Sequence, residues 1–534
     1  MPFFLIFISI PLWAQAFQDL ATTDNGSVLY FSSPVRQTGK TQSFHSKIFR
    51  WDAADGFKVV AEVADVGNES DCVAGPNFYE LGSPQVSADG SLLAYSGSRP
   101  ELFPIRLCLP YEQNQGILKE PAGQVTVTGN VAISRNGRYA ISTPAAAVAE
   151  GVHVVTDLAS GLSSVIAGAF NGSQQRVTND GTILTPAPAA PNSPEPSVII
   201  LTDRNGASRI LNTRRQVSDA VINPSGTTVA YLTLLTGPNG STGISLIDVP
   251  TGNETDLAAP FGPGNLSLSS DGTIVFYTDG GQLYSVSAGG RPRQITTQYG
   301  GVASVAVSGG GTVAYAATGD SRLIRIDIAS GAVTELAPST PRVTAAYRIF
   351  PPQTNIAALG SVIQLYGSGI MAVQQIALCG RTVPKLQGQV RFQVPWDLPE
   401  GPCQAIVQSS SPFEHGIDLQ VQTYDPQFVQ INPPAALLLH PNFLLISPSS
   451  PAQPGEAIVA YMTGLGPVDA SGMVMPGFQC RVGPVDATVL YAGLAPGFTG
   501  FYQVNLTVPD LEASSASLTC GWNALMQAAT SVWL

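Results

Sequence analysis

A chain of 534 residues is long enough for several hydrophobic cores, yet only 12% of it is charged, and it carries 54 glycines and 42 prolines. That composition rules against long amphipathic helices and describes short strands joined by turns, an all-β chain. The net charge of −12 and pI near 4.8 rule against nucleic acid and anionic membranes, both of which call for Lys and Arg to meet phosphate.

In chain order, the first element is FFLIFISIPLWA, residues 3–14, the one sustained apolar run. It is shorter than the roughly 20 residues a membrane-spanning helix requires. It runs into Ala14-Gln15-Ala16, a small-x-small cleavage site, so residues 1–16 read as a signal peptide. No Lys or Arg precedes the run, and the positive charge of its leading end rests on the amino terminus. Export to the periplasm, the cell surface or the outside follows.

From residue 17 a unit recurs in which a strand, a tight turn and a second apolar strand follow one another. It reads TTDNGSVLYF, VSADGSLLAY, AISRNGRYAI, VTNDGTILTP, INPSGTTVAY, LSSDGTIVFY and VSGGGTVAYA. The turn glycines are Gly26, Gly90, Gly137, Gly181, Gly226, Gly272 and Gly311, spaced 39 to 47 residues apart apart from a first interval of 64. Asp or Asn before Gly supplies the positive φ of a tight hairpin turn. A period of about 40–45 residues with four strands per unit is that of a propeller blade, so residues 17–340 are expected to form a seven-bladed β-propeller. These units resemble the WD-repeat-like blades of TolB-type propellers, whose turn is Ser-Pro-Asp-Gly; INPSG and SSDG come nearest here. The turn aspartates Asp24, Asp89, Asp180 and Asp271 read as Asx side chains bonding their own turn backbone rather than as acid, base or metal ligand.

The connections after the apolar strands are long in the first five units, as in residues 32–46, 96–104, 143–151, 185–196 and 234–243. With the usual strand order they emerge on one face, together with residues 64–82; neutral loop growth accounts for their length, and the alternative is a surface where a partner would dock.

After residue 341 the period changes. GSVIQLYGSGI from Gly360 is echoed 95 residues later by GEAIVAYMTGL from Gly455; QVRFQVP from Gln389 is echoed 114 residues later by QVNLTVP from Gln503. Two β-sandwich repeats, 341–425 and 426–534, are expected. Six cysteines without a CxxC pair or zinc-ligand spacing allow 15 pairings. The duplication equates Cys379 with Cys480 and Cys403 with Cys520, which implies Cys379–Cys403, Cys480–Cys520 and, in the propeller, Cys72–Cys108. In YAGLAPGFTGFYQVNLTVP, residues 491–509, Val504, Leu506 and Val508 are expected to face a core. Phe498, Phe501 and Tyr502 are expected to cover the sandwich edge.

TGLGP at Thr463–Pro467, the run from Ala492 to Pro509, and QVRFQVPW resemble the uncharacterised C-terminal domain common in secreted acidobacterial proteins. The repeats also resemble IPT/TIG-type immunoglobulin-like domains. The resemblance implies a bacterial, secreted, immunoglobulin-like module without an established activity.

No G-x-S-x-G elbow, H-E-x-x-H, Walker loop or dinucleotide-binding fingerprint occurs. The four histidines, His45, His153, His415 and His440, lie in separate segments and read as packing or surface residues. No catalytic, cofactor-binding or metal-ligating residue is assigned. Two functions remain. The first is an exported non-enzymatic binding or scaffolding protein that presents its loop-rich propeller face to a protein or polysaccharide. The second is a propeller glycosidase or lyase with two or three carboxylates and aromatic platforms in a deep central pocket.

Overall fold

The computed structural model describes residues 16–37, 44–61, 81–100, 112–120, 123–128, 130–143, 152–167, 173–187, 197–234, 243–257, 263–295, 301–349, 356–386, 390–432, 435–511, 514–522, 527–528 and 532–534. The chain divides into two units, the first Met1–Val35 with Ser43–Thr340, the second Arg36–Gln42 with Pro341–Leu534. Both are all-β. Cys72, Cys108, His45 and the signal segment up to residue 15 lie outside the residues whose side chains are described.

The first unit is a succession of antiparallel sheets, each made of consecutive strands in chain order. The first sheet runs Gln18–Thr22, Val28–Gln37, Phe44–Asp52, Gly56–Ala61, and the next Leu81–Val86, Leu93–Pro100, Glu112–Glu120, Gly123–Thr128. Further sheets occupy 130–167, 183–212, 216–257 and 264–294, and the last holds Val302–Val307, Val313–Thr318, Leu323–Asp327 and Val333–Ala337. Strand Gln18–Thr22 touches both Leu81–Val86 of the second sheet and Val302–Val307 of the last, so the sheets close into a ring. This is a β-propeller, and its core lies in the seams between sheets. Tyr30 and Ile48 pack against Val86 and Leu93; Val221 and Ala230 against Val275 and Tyr277; Phe276 and Leu283 against Ala314 and Ile326. Burial on both faces explains why the second strand of each sheet reads as an unbroken apolar run.

Each turn glycine has a positive φ, from +65° to +86°. At Gly26 a Cβ would also lie 2.7 Å from Val313 Cβ across the seam, so the position needs glycine for space as well as for conformation. Among the described residues no strand is exchanged to close the ring. The first and last sheets are joined by Tyr315 Oη donating to the Gly26 carbonyl (2.7 Å), by Gly310 N–H donating to the Asp24 carbonyl (3.0 Å), and by Trp51 edge-on to Tyr315.

Several segments read as loops are strand. Val28–Gln37 and Phe44–Asp52 take in most of 32–46, and Leu93–Pro100 pairs with Glu112–Glu120 out to Pro100↔Glu112. Polar composition there reflects strands whose backbone bonds are met by a partner strand. The remainders, residues 38–43, 62–80, 101–111, 144–151, 188–196 and 235–242, lie outside the described residues.

The second unit shows the duplication in its pairing. Ile363 stands opposite Phe392, and Ile458 stands opposite Leu506, the equivalent pair 95 and 114 residues on. In the first copy the sheet Arg342–Arg348, Val362–Ser368, Arg391–Gln393 shares a core with the layer containing Gln375–Leu378, Gly401–Gln408 and His415–Gln422. Val390, Phe392 and Val394 sit in that core, as Val504, Leu506 and Val508 do in the second. A disulfide joins Cys379 to Cys403 (Cα–Cα 5.1 Å), and another joins Cys480 to Cys520 (4.1 Å), whose residues are directly opposed in register. Tyr502 differs from its expected role as an edge cover: it is fully buried and donates to the Gly466 carbonyl, while Phe498 is exposed. The alternation of the strand carries Tyr502 to the same side as Val504.

The two copies meet at the TGLGP turn. Asp425 N–H donates to the Gly464 carbonyl (2.9 Å), and the buried Arg348 donates to both the carbonyl (2.8 Å) and the carboxylate of Asp425. A Cβ on Gly464 would fall 2.1 Å from the Asp425 carbonyl oxygen. Trp396 packs against both cores and lies over Gly360, where a Cβ would overlap its ring. Removing one member of a buried, hydrogen-bonded charge pair costs about 3–5 kcal/mol. Arg348→Ala is therefore expected to lower the urea midpoint of the second unit by that equivalent, with Arg348→Met losing less; a variant as stable as wild type would show that Arg348 does not join the copies.

Candidate functional site

The seven turns carry a feature that their glycines alone do not reveal. Three residues before each glycine stands Thr23, Ser87, Ser134, Thr178, Asn223, Ser269 or Ser308, all buried. Its carbonyl accepts from the glycine N–H, at 2.8–3.1 Å. Its side-chain oxygen accepts from a backbone N–H on the far side of the turn, as at Ser87–Leu92 (2.9 Å), Ser134–Tyr139 (2.9 Å), Ser269–Ile274 (3.0 Å) and Ser308–Val313 (3.0 Å). The signal was present as [ST or N]-x-x-G in all seven units and emerges once the turns are aligned.

The residue two before each glycine faces the neighbouring turn. Asp24 N–H donates to the Ala88 carbonyl (3.0 Å), Ala88 to Arg135 (2.6 Å), Asn179 to Pro224 (2.7 Å) and Ser270 to Gly309 (2.8 Å), and Gly310 donates back to Asp24 (3.0 Å). Two steps use side chains. Asn136 donates twice to Asn179, from its N–H to Oδ1 and from Nδ2 to the carbonyl, and Asn223 Nδ2 reaches the Ser270 carbonyl at 3.5 Å, because Pro224 has no N–H to give. The turns thus form a hydrogen-bonded ring around the axis.

Asp24 departs from its expected role. Asn25 supplies the Asx oxygen of the first turn, accepting from Thr23 Oγ1 and Ser27 N–H. Asp24 belongs to the axial set and pairs with Arg135 Nε at 2.5 Å, with Ser270 Oγ 3.4 Å away. Arg135 also donates to the carbonyls of Thr22 (2.7 Å) and Val86 (3.2 Å), bridging the ring. The other three aspartates do bond their own turns. Bonds from Ser91 N–H and the hydroxyls of Ser87 and Ser91 hold Asp89 down at about 2. Ser269 and Thr273 likewise lower Asp271; for Asp180, burial acts upward but bonds from Thr178 and Thr182 outweigh it.

Below the ring lies a cavity of about 310 Å³ along the axis. At the ring end it is lined by Arg135, Pro224, Ser270 and Gly309, and its walls include Ala21, Val177, Ile222, Leu268, Val305 and Val307. At the opposite end of the inner strands are Asp19, Ser83 and Gln175, all exposed. The inner strands are bulged there, between Gln18 and Ala21, Gly82 and Gln85, Val217 and Asp219, Gly264 and Ser267, and Val302 and Ser304. Asp19 (φ +49°), Ser83 (φ +50°) and Asn265 (φ +46°) occupy these bulges in the left-handed region, which re-aims their side chains. In the 183–212 sheet the inner position is a 3₁₀ turn, Gln174–Arg176; Gln174 donates to the Val86 carbonyl (2.9 Å) and Arg176 pairs with Asp219 (2.5 Å). Among the described residues no aromatic side chain lines the cavity, and Asp19 is the one carboxylate in its lining. Among the described residues no cluster of His, Cys, Asp and Glu is arranged for a metal ion.

The expected residues do not converge on one site. The turn glycines are distributed around the ring, and the two disulfides lie in the second unit. His153 and His415 are buried, and desolvation together with the nearby Arg342 pushes His415 down to about 3. His440 has Glu456 Oε1 2.7 Å from Nδ1 and Ser450 Oγ 3.1 Å from Nε2, the spacing of a nucleophile, base and acid. The Ser450 carbonyl oxygen is equally close to Nε2, at 3.1 Å. Two acceptors facing both nitrogens suit an imidazolium that donates from each, so the ring is a structural clamp rather than a base for Ser450. No helix among the described residues is long and apolar enough to cross a membrane.

No protein-family model matches the chain, and no curated protein matches it. Solved structures similar to it include the β-propeller domain of the trilobed protease from Pyrococcus furiosus, described as having an open velcro topology. That match has 12% identity, covers 61% of this chain and 99% of that one, and has a TM-score of 0.43. A chain of the mitotic checkpoint complex is 14% identical over 58% of this chain and 86% of that one, with a TM-score of 0.38. The propeller assignment rests on this chain's own strand order and ring closure.

Two outcomes are expected. Asp24→Ala strands Arg135 on the axis and should destabilise the first unit by about 1–3 kcal/mol, more than Asp89→Ala, in paired denaturant melts; equal losses would return Asp24 to an ordinary turn role. The bond to Glu456 raises the pKa of His440 above 6.5. Burial acts upward on Glu456, but bonds from His440 and the Gln453 N–H hold it below 4.5. The histidine contribution is full below 6.5 and fades as pH rises through its folded value; that of Glu456 is full above 4.5 and fades as pH falls through its folded value. The stability difference between wild type and His440→Ala should therefore peak between those values and shrink toward alkaline pH; a difference independent of pH would contradict the clamp.

Proposed function

We propose that this chain is an exported bacterial binding or scaffolding protein without enzymatic activity. In this reading residues 17–340 form a seven-bladed propeller that presents one face to a macromolecular partner. Residues 341–425 and 426–534 form two immunoglobulin-like repeats of the kind common in secreted acidobacterial proteins. The observation that carries the reading is the composition of the axial cavity. The glycosidase alternative calls for paired carboxylates beside aromatic platforms. Among the described residues the lining instead offers one carboxylate, serine and glutamine side chains and apolar walls, with Arg135 at the ring end already neutralised by Asp24. A propeller fold fits a binding role, and the two disulfides fit an oxidising compartment. Export would begin with removal of residues 1–16, and Cys72–Cys108 would be a third bridge. A protein is the first partner to test, since among the described residues no aromatic platform lines the cavity to stack a sugar ring.

The test is retention of envelope proteins and of a polysaccharide panel on immobilised residues 17–534, with reducing ends assayed in the same tubes. Retention without new reducing ends, lost when segments 38–43 and 188–196 are shortened, is the expected result. Release of oligosaccharides would overturn the reading in favour of a glycosidase or lyase.

A further inference from the structure

We infer that the Cys379–Cys403 disulfide is a thiol-exchange site that takes a small thiol as a covalent ligand on Cys379, and that Cys480–Cys520 is closed to the same reaction. The inference is independent of the partner proposed above and concerns the second unit alone.

The two disulfides are equivalent by duplication but not in placement. Cys480 lies inside a ladder, opposite Cys520 on one side and Ala487 on the other, and both cysteines are fully buried in the core of the second copy. Cys379 lies beyond the end of its ladder. Leu378 pairs with Arg381 and with Ala405, and Cys379 and Gly380 are the two residues of the hairpin turn that follows. There Cys379 is exposed, and a Cβ on Gly380 would meet no described atom within 4 Å, so the turn is open to approach. Its partner Cys403 is buried in the strand Gly401–Gln408, opposite Leu419.

The backbone adds a second difference. Cys379 has φ +50° and Gly380 φ +75°, the two successive positive values of the hairpin turn that Asn-Gly serves best. A cysteine in the left-handed region persists where its surroundings over-determine it. Here the bond to Cys403 and the Cys379 N–H donating to the Gln404 carbonyl (3.0 Å) do so. Cys480 and Cys520 sit in ordinary strands. Exposed or strained disulfides are the ones that exchange with thiols. Access also selects the sulfur. An incoming thiolate bonds to Cys379 Sγ as the Sγ–Sγ bond breaks, and the electron pair leaves on Cys403 Sγ, which takes a proton from water. A second thiolate attacks the sulfur of the bound small thiol and frees Cys379, so two small thiols become one disulfide and the protein gains two thiols. The pairs from Gln375↔Gln408 to Leu378↔Ala405 hold the hairpin on its sheet with the disulfide open.

The probe is glutathione, graded against the oxidised full chain under native conditions, with trapping by N-ethylmaleimide and peptide mass spectrometry. Cys379–Cys403 should open at a concentration about tenfold or more below that which opens Cys480–Cys520. The glutathione adduct should fall on Cys379, with the far-ultraviolet circular dichroism unchanged. Cys403→Ser, which leaves Cys379 alone, should take one glutathione from glutathione disulfide about tenfold or more faster than Cys379→Ser, which leaves the buried Cys403. Opening of both disulfides together would overturn the inference. So would opening of Cys379–Cys403 only in urea that unfolds the second unit, an adduct on Cys403 in the wild type, or equal uptake by the two folded variants.

Discussion

Everything in the first unit depends on the way each inner turn satisfies its own backbone and then the next one. A buried hydroxyl or amide three residues before the glycine closes the turn from within, and at Asp24, Ala88, Asn179 and Ser270 the N–H two residues before the glycine reaches the neighbouring sheet. These are bonds between backbone groups that are hidden from water once the sheets pack, where an unmet donor costs about 1–3 kcal/mol. The ring of turns therefore sets the spacing of the sheets, and the apolar seams fill the space that the ring leaves. Where Pro224 lacks the donor, Asn223 supplies one from its side chain.

This ring also accounts for the seam between the first and last sheets. Without strand exchange, closure relies on side chains and turn backbone: Tyr315 on the Gly26 carbonyl, Gly310 on Asp24, and the Asp24–Arg135 pair that ties the first turn to one two sheets away. The axial pair thus serves closure first, and it leaves the cavity beneath it neutral apart from Asp19. In the second unit the corresponding constraint is Arg348, whose guanidinium holds Asp425 against the TGLGP turn. The glycines of that turn allow the linker backbone to approach within hydrogen-bonding distance. The TGLGP turn is therefore a joint between the strands before Asp425 and those after it.

The sequence by itself determined what is local or repeated. Alternation marked Val504, Leu506 and Val508 as core, glycine spacing marked the inner turns, and the duplication marked which cysteines are joined in the second unit. These follow from period-two side-chain geometry, from φ constraints and from repetition, all of which are written in neighbouring residues. Tertiary structure alone decided what lies on the axis. Asp24 looked like any turn aspartate until the alignment of turns put Asn25 in its place, and Asp19 and Arg135 carry no motif at all. The Asp24–Arg135 pair and the cavity under it bring together residues as far apart as Asp19 and Val307. No local pattern encodes which side chains a closed ring will aim at its own centre, because that depends on the closure itself.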